Sequence, residues 1–472
     1  MTAAADITLV GSGLTGPLLA IELKKRGHAV RLYERRPDMR RVKISAGRSI
    51  NLALSTRGIH ALRAAGIWRE MQKIIIPMRG RMMHSVAGEL SFMPYGKDAT
   101  EVINSISRAE LNIALMNAAE ARGVAIEFNR RCVGYDARTG ELRLRDEESG
   151  NERAVESAIV IGTDGAASAI RLAMQATLPR FNLAQQYLDY GYKELTIPAG
   201  KDGQHQLDVH QLDKHALHIW PRGSLMLIAL PNIDGTFGCI LFLPFAGKDS
   251  FGELDSNAKV RAFFEAQFPD ALRLMPGLME NYNANPVGAM VTIKCSPWHS
   301  DGRALLLGDA AHAIVPFFGQ GLNCAFEDCT VLLELLDRGG KDKDWDRLFA
   351  EFEAARKQNT DAIADLALEN FVEMRDKVAD PRFLFRKKVE LALEARYPGH
   401  FVPKYAMVTF HRLPYSVAWS RGRIQDTILG ELCEGIERVE QLDWKRADEL
   451  IQRELAPLGA GLGAPLGVGQ DA

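Results

Sequence analysis

The sequence has no CxxC pair. Its six cysteines (Cys132, Cys239, Cys295, Cys324, Cys329 and Cys433) are scattered, so neither a zinc site nor a disulfide framework is indicated. Reduced, mostly buried thiols are expected, and no metal. It has no excess of charge of either sign. Lys and Arg number 58 against 60 Asp and Glu, a net charge of −2, which points away from nucleic acid and acidic membrane surfaces. It has no apolar run of the ~20 residues that a membrane span needs. No basic, cleavable leader precedes the first apolar stretch, which Asp6 opens. No membrane anchor is therefore expected, and the cytoplasm is the expected location.

What is present falls into segments of different period. DITLV (6–10) reads as a buried strand. A helix should follow Gly13, with Leu18, Leu19, Ile21 and Leu23 as its apolar positions, and AVRLY, ending before Glu34, reads as a second strand. Strand, helix, strand in that order predicts a parallel sheet. A further apolar strand, IVIGT (159–163), ends in Asp164-Gly165. From about 205 to 245, HQLDVHQL, HALHIWP, SLMLIALP and GCILFLPF read as short strands separated by turn signals such as Asn232-Ile233-Asp234-Gly235, an antiparallel meander. After 345 the pattern is helical, and no internal repeat is found. The fold expected is α/β: a Rossmann-like nucleotide-binding domain over 1–176 and 295–335, interrupted by an antiparallel-sheet domain over 177–294. A helical region over 336–454 and a flexible tail over 455–472 complete the chain.

Gly11, Gly13 and Gly16 form GxGxxG between strand and helix. The first permits the tight turn, the second admits a pyrophosphate to the backbone, and the third lets helix and strand approach. The helix start offers free N–H groups and a positive dipole end. Glu34 is placed to accept ribose hydroxyls, and its carboxylate would repel a 2′-phosphate, so FAD or NAD fits better than NADP. Arg35 can cover the adenine, whereas Arg36 reads as a solvated surface charge. Asp164 opens DGAASAIR, which ends at Arg171. It suits either a plain turn or a ligand contact. Asp309, at the end of the strand RALLL, can accept a sugar-chain hydroxyl. Gly319, Gln320 and Gly321 then open a second helix, with Leu322 and Asn323 in its first turn. His312 reads as a structural histidine.

GxGxxG, DGxxSxxR and then GD with a Pro- and Gly-rich loop, in that order, resemble the aromatic-ring hydroxylases among the single-component FAD monooxygenases. The resemblance implies an FAD-binding domain with non-covalent FAD, an inserted substrate domain, and a second helix whose positive end faces the flavin ring. It also implies that Pro316 sits beside the reactive flavin edge, that Arg108 lies along the ribityl and pyrophosphate, and that Ala53 and Val133 line the cofactor. RGRMMH (79–84), MPYGKD (93–98), INLALS (50–55), PFFGQGLN and PKYAMVTF resemble the branch of that family that hydroxylates L-kynurenine. From that likeness, Arg81 and Tyr95 bind the substrate carboxylate, Asn370 and Tyr405 make further contacts, and Phe317 and Phe318 line the ring pocket. Some bacterial relatives carry a histidine where this chain has Phe318. Asn370, Glu373 and Met374 share one helix face and are further candidate substrate contacts.

The activity implied is hydroxylation of L-kynurenine to 3-hydroxykynurenine with NADPH and O2 through a flavin C4a-hydroperoxide. No catalytic side chain is required, because the aniline nitrogen of the substrate activates its own ring and the protein positions and excludes water. A hydroxylase of another aromatic acid, or a redox-inactive FAD-binding scaffold, are the alternatives. A homodimer is compatible with the sequence.

Overall fold

The computed structural model describes residues 6–42, 51–201, 208–339, 344–374 and 380–459. Asp6–Val10 is a strand whose last four residues are buried, as a run of apolar residues without alternation requires when both sheet faces are covered. It lies at the centre of a six-stranded sheet, flanked in parallel by Ala29–Tyr33 and Ile159–Gly162. Ala125–Glu127 and Ala304–Leu306 extend the parallel array, and His299–Ser300 closes it antiparallel. The helix Thr15–Lys25 packs on this sheet with Leu18, Leu19, Ile21 and Leu23 wholly buried.

A second sheet of seven strands runs in the order Gly288–Ser296, Asn182–Ile197, Phe237–Pro244, Met226–Pro231, Ala216–Pro221, Gly80–His84, Leu90–Pro94. The last two strands correct the expected division of the chain. They come from within 1–176, yet they complete the sheet of the insertion, and Gly80–His84 joins Ala216–Pro221 in parallel. Gly80 through His84 is almost wholly buried, and the edge of the meander is the nearest partner for its backbone hydrogen bonds. The expected strand over 205–212 contracts to Asp208–Val209, and 205–207 lie outside the described residues.

The C-terminal region is helical. Trp345–Val372 is capped by Asp344, which accepts the amides of Asp346 and Arg347. Pro381–Arg396 is capped by Asp380. Lys404–Thr409 and Tyr415–Leu432 follow, and Tyr415 is fully buried. The expected flexible tail begins too early at 455. Leu455 is fully buried and Leu458 N donates to the Gly399 carbonyl at 2.9 Å; 460–472 lie outside the described residues. All six cysteines are free and buried. Among the described residues no helix is long and apolar enough to cross a membrane.

One buried ionic cluster joins three of these pieces. Asp328, on the helix Gly321–Arg338, accepts His312 Nε2 at 2.6 Å, Arg356 Nε at 2.6 Å and the Gly308 amide at 3.1 Å. The Arg356 guanidinium also reaches the Cys324 carbonyl at 3.2 Å. His312, Cys324 and Asp328 are close enough to suggest metal ligands, but Arg356 already neutralises the carboxylate, so the cluster is an internal ion pair. Burial alone would lower the His312 pKa, yet Asp328 holds it up at about 10. Burial alone would raise Asp328, and His312 with Arg356 hold it below its usual value.

Because the His312 pKa is raised on folding, its contribution is complete below the unfolded value of about 6.5 and fades as pH rises toward about 10. The Asp328 contribution has the opposite sense and is lost only as pH falls through its lowered value. His312→Gln should therefore melt well below wild type near neutral pH. The gap in Tm should narrow as the buffer approaches about pH 10. A gap that stays constant across that range would count against a charged His312.

Candidate active site

The carboxyl ends of the parallel strands open into a cavity of about 890 Å³. Gly11, Glu34, Thr163 and Leu307, each just past its strand, line it, at the place where open α/β sheets bind ligands. The seven-stranded sheet and the helices after residue 314 form its other walls.

At the nucleotide end, Gly11 has φ +103°, and a Cβ there would stand 2.6 Å from the Thr163 carbonyl oxygen. A Cβ on Gly16 would meet the Gly11 carbonyl at 2.2 Å, whereas Gly13 faces open space. Gly16 therefore serves packing and does not line the cavity, and Gly13 leaves room for a phosphate. The helix Thr15–Lys25 has no side-chain cap and no acidic residue in its first turn, so its terminal N–H groups remain available. Glu34 is buried and accepts the Ser12 amide at 2.8 Å and Arg36 Nε at 2.7 Å. Burial pushes its pKa up, and Arg36 more than offsets this, so the group is ionised. Arg36 is exposed, as expected of a surface charge, and it is also paired with Glu34 and lines the cavity. Arg35 and Arg108 line the cavity as expected.

Asp164 Oδ2 accepts the Ala169 amide at 2.7 Å, while Oδ1 is buried with no partner. Burial raises its pKa. Arg171 ties the same segment to the GD turn, donating to the Ala310 carbonyl at 2.7 Å and to that of Ala166. Asp309 also lines the cavity, and burial raises its pKa as well. Pro316, Gly319, Gly321, Leu322 and Ala53 line the far end. The helix Gly321–Arg338 again begins without a side-chain cap or an acidic first turn.

Two cofactor assignments fall elsewhere. Val133 does not line the cavity; Arg130, Arg131 and Cys132 of its strand do. Asn323 is wholly buried and braces two loops. Its Nδ2 donates to the Ala53 carbonyl at 2.8 Å and the Gly319 carbonyl at 2.9 Å, and its Oδ1 accepts the Ser55 amide at 2.9 Å.

Beyond the second helix start lies the candidate substrate chamber. Arg81 is buried with Nε unpartnered. Its guanidinium lies 5.0 Å from the Tyr405 ring centre and 5.5 Å from that of Tyr95. The two phenol rings stack at 5.7 Å, and Phe318 stacks on Tyr405 at 5.3 Å. Burial pushes both phenols upward, so each hydroxyl keeps its proton and can donate. Phe317 and Met374 also line the chamber. Asn370 does not; its Nδ2 donates to the Phe317 carbonyl at 2.6 Å and holds the aromatic pair in place. Glu373 is also outside the lining, near enough to favour the charged Arg81. Sequence reasoning missed the sheet wall: Leu217, Met226, Ile228, Leu230, Ile240, Phe242 and Tyr192. The signal was the period-two spacing of Met226, Ile228 and Leu230, whose side chains share one face.

A family model described as an FAD binding domain matches residues 4–367. A protein of Myxococcus xanthus named kynurenine 3-monooxygenase is 55% identical over 452 residues, 96% of each chain. One of Xanthomonas oryzae pv. oryzae with the same name is 46% identical over 453 residues, 96% of this chain and 98% of that one. The chain belongs to the kynurenine 3-monooxygenase family. Its fold is also that of 2-methyl-3-hydroxypyridine-5-carboxylic acid oxygenase, with a TM-score of 0.60 at 22% identity over 81% of this chain and 95% of that one. Pseudomonas aeruginosa PqsL, solved with 2-aminobenzoylacetate, gives 0.62 at 18% identity over 79% and 99%.

As a member of the kynurenine 3-monooxygenase family the protein is an FAD-dependent oxidoreductase. Its residues fit that cofactor. Two uncapped helix starts open on one cavity, and two carboxylates, Asp164 and Asp309, line it between them. Cys132, which lines the cavity, is pushed up to about 12 by burial, away from a reactive thiolate. Acid or heat should therefore release all the bound flavin as FAD. Flavin left on the denatured chain, or release of FMN, would contradict this assignment.

Proposed function

We propose that the protein hydroxylates L-kynurenine at ring carbon 3 in the cytoplasm, with NADPH as reductant and O2 as oxidant. The observation that carries the reading is Arg81. It is a buried guanidinium with an unpartnered Nε, held between two phenol groups at the polar end of an otherwise aromatic and aliphatic chamber. That arrangement suits an aromatic amino acid with its carboxylate at Arg81 and its ring toward the Pro316–Leu322 loop. Arg81 can give charge-assisted hydrogen bonds to the carboxylate, and Tyr95 and Tyr405 are protonated donors beside it.

Bound FAD supplies the activation of O2 and the delivery of one oxygen atom. The protein's own groups bind, orient and keep water out. Phe317, seated by Asn370 and packed at 4.2 Å on Phe371, and Phe318 set the plane available to the substrate ring. No protein base is needed, because the aniline nitrogen donates electron density to the carbon ortho to it. The raised pKa values of Tyr95 and Tyr405 make them hydrogen-bond donors and unsuited to act as bases.

Purified protein should oxidise NADPH slowly alone and rapidly with L-kynurenine, yielding 3-hydroxykynurenine; NADPH consumption indifferent to the substrate would refute the proposal. Arg81→Met should lower kcat/KM for L-kynurenine by roughly tenfold to several hundredfold, since a hydrogen bond to a charged group contributes ~1.5–3 kcal/mol. Kynuramine, which lacks the carboxylate, is the control. Wild type should prefer kynurenine and the variant should lose most of that preference. Equal weakening of both substrates would make Arg81 a structural residue.

A further inference from the structure

The strand that carries Arg81 has a second role on its other face. Arg81 and Met83 face the cavity side of the seven-stranded sheet, and His84 lies on the opposite side against Trp220, with ring centres 4.0 Å apart. Here a chain of hydrogen bonds runs through two buried histidines. Asp270 Oδ2 is 2.9 Å from His84 Nδ1. His84 Nε2 is 2.8 Å from His218 Nδ1, and His218 Nε2 is 2.9 Å from the Asp213 carbonyl oxygen. Trp220 Nε1 donates to the same Asp270 oxygen at 2.8 Å.

Counting protons in this chain decides its charge. A carbonyl and a carboxylate only accept, so each end bond needs a ring N–H, and the bond between the rings needs one more. Four ring nitrogens therefore carry three protons. One ring is an imidazolium and the other is neutral. Burial raises the carboxyl of Asp270, but His84 and Trp220 outweigh it and hold Asp270 at about 2, so it is ionised. Burial lowers His218 to about 4, which makes His218 the neutral ring. The other charges facing the pair are engaged. Arg222, at the end of the His218 strand, donates to the carbonyls of His84 at 2.8 Å and Gln267 at 2.6 Å. The Asp213 carboxylate accepts the His215 amide at 2.8 Å.

We propose that His84, carrying both ring protons between Asp270 and His218, is a positioning residue for Arg81 and so for the substrate carboxylate. The strand Gly80–His84 joins Ala216–Pro221 in parallel, whereas the other pairings of that sheet are antiparallel. A slip of one residue at this junction would turn Arg81 out of the cavity. The His84–His218 bond crosses the junction, and the His84–Asp270 bond anchors the strand to the helix Pro269–Arg273. Each of the two bonds uses one of the two ring protons of His84.

The inference rests on Arg81 holding a carboxylate, and its test separates the two claims. In the holoenzyme at neutral pH, 15N-labelled histidine side chains should show one imidazolium that disappears in His84→Gln; a neutral His84 in wild type overturns the proposal. His84→Gln should raise KM for L-kynurenine roughly tenfold, for the loss of about one charged hydrogen bond, with FAD content unchanged. The KM for kynuramine should stay within about twofold. Unchanged KM values, or equal losses on both substrates, overturn it. Should His84→Gln fail to fold, Asp270→Asn keeps the volume and removes the charge. It should likewise raise KM for L-kynurenine roughly tenfold while leaving that for kynuramine within about twofold, and unchanged values overturn the proposal. A wild type without preference for kynurenine over kynuramine overturns the reading of Arg81 together with this inference. A preferring wild type with unaffected His84 and Asp270 variants overturns the inference alone.

Discussion

The Asp328 carboxylate determines where the second glycine loop can stand. It binds the amide of Gly308, the ring of His312 and the guanidinium of Arg356, so the GD turn, the helix Gly321–Arg338 and the long helix Trp345–Val372 meet at one group. Removing such a partner from a buried ion pair typically costs ~3–5 kcal/mol. Two cations on one carboxylate also leave the cluster one unit positive, beneath a helix whose uncapped start opens into the cavity. That charge adds to the helix dipole and favours an anionic group at the loop. The same contact thus fixes the loop and sets its electrostatics.

The two glycine-rich turns, some three hundred residues apart, open on opposite ends of one cavity. The first has open space at Gly13 and an uncapped helix start after Leu14, which suits the proposed FAD phosphates. The second turn lines the far end of the same cavity. It is held from behind by Asn323 and by Tyr415, whose hydroxyl donates to Gln320 at 2.9 Å. Its inward side, from Pro316 to Leu322, lines the cavity, where the proposed reading puts the flavin ring and the substrate.

Much of this was legible in the residue order, and each failure has its own physical cause. Turn glycines and the acids that end strands act locally, so spacing and order were enough to bring Gly11, Gly13, Glu34, Asp164 and Asp309 to one cavity. Side chains that act by pointing backward were not. Asn370 and Asn323 sit beside the site in sequence, yet their amides satisfy buried carbonyls behind it, and a pattern of residue types does not distinguish the two directions. The sheet boundary failed for another reason. RGRMMH reads as a strand, but which sheet it joins is set by pairing with residues 216–219, more than a hundred positions away. The pairing of the exposed Arg36 with Glu34 was not legible, because an arginine two residues after a buried glutamate looks the same whether or not it turns back to it.

Arg81 shows how these constraints meet. A buried guanidinium costs several kcal/mol unless its charge is met, and its Nε has no hydrogen-bond partner among the described residues. The faces of Tyr95 and Tyr405 compensate in part. Glu373 contributes field from outside the chamber lining. What remains uncompensated would attract the proposed substrate carboxylate, in a chamber that Phe317, Phe318 and Met374 also line with apolar surface. A strand held in register is the condition for this, since an arginine on the wrong face would stabilise nothing. The parallel junction behind it therefore belongs to the specificity of the site as much as the phenols in front of it do.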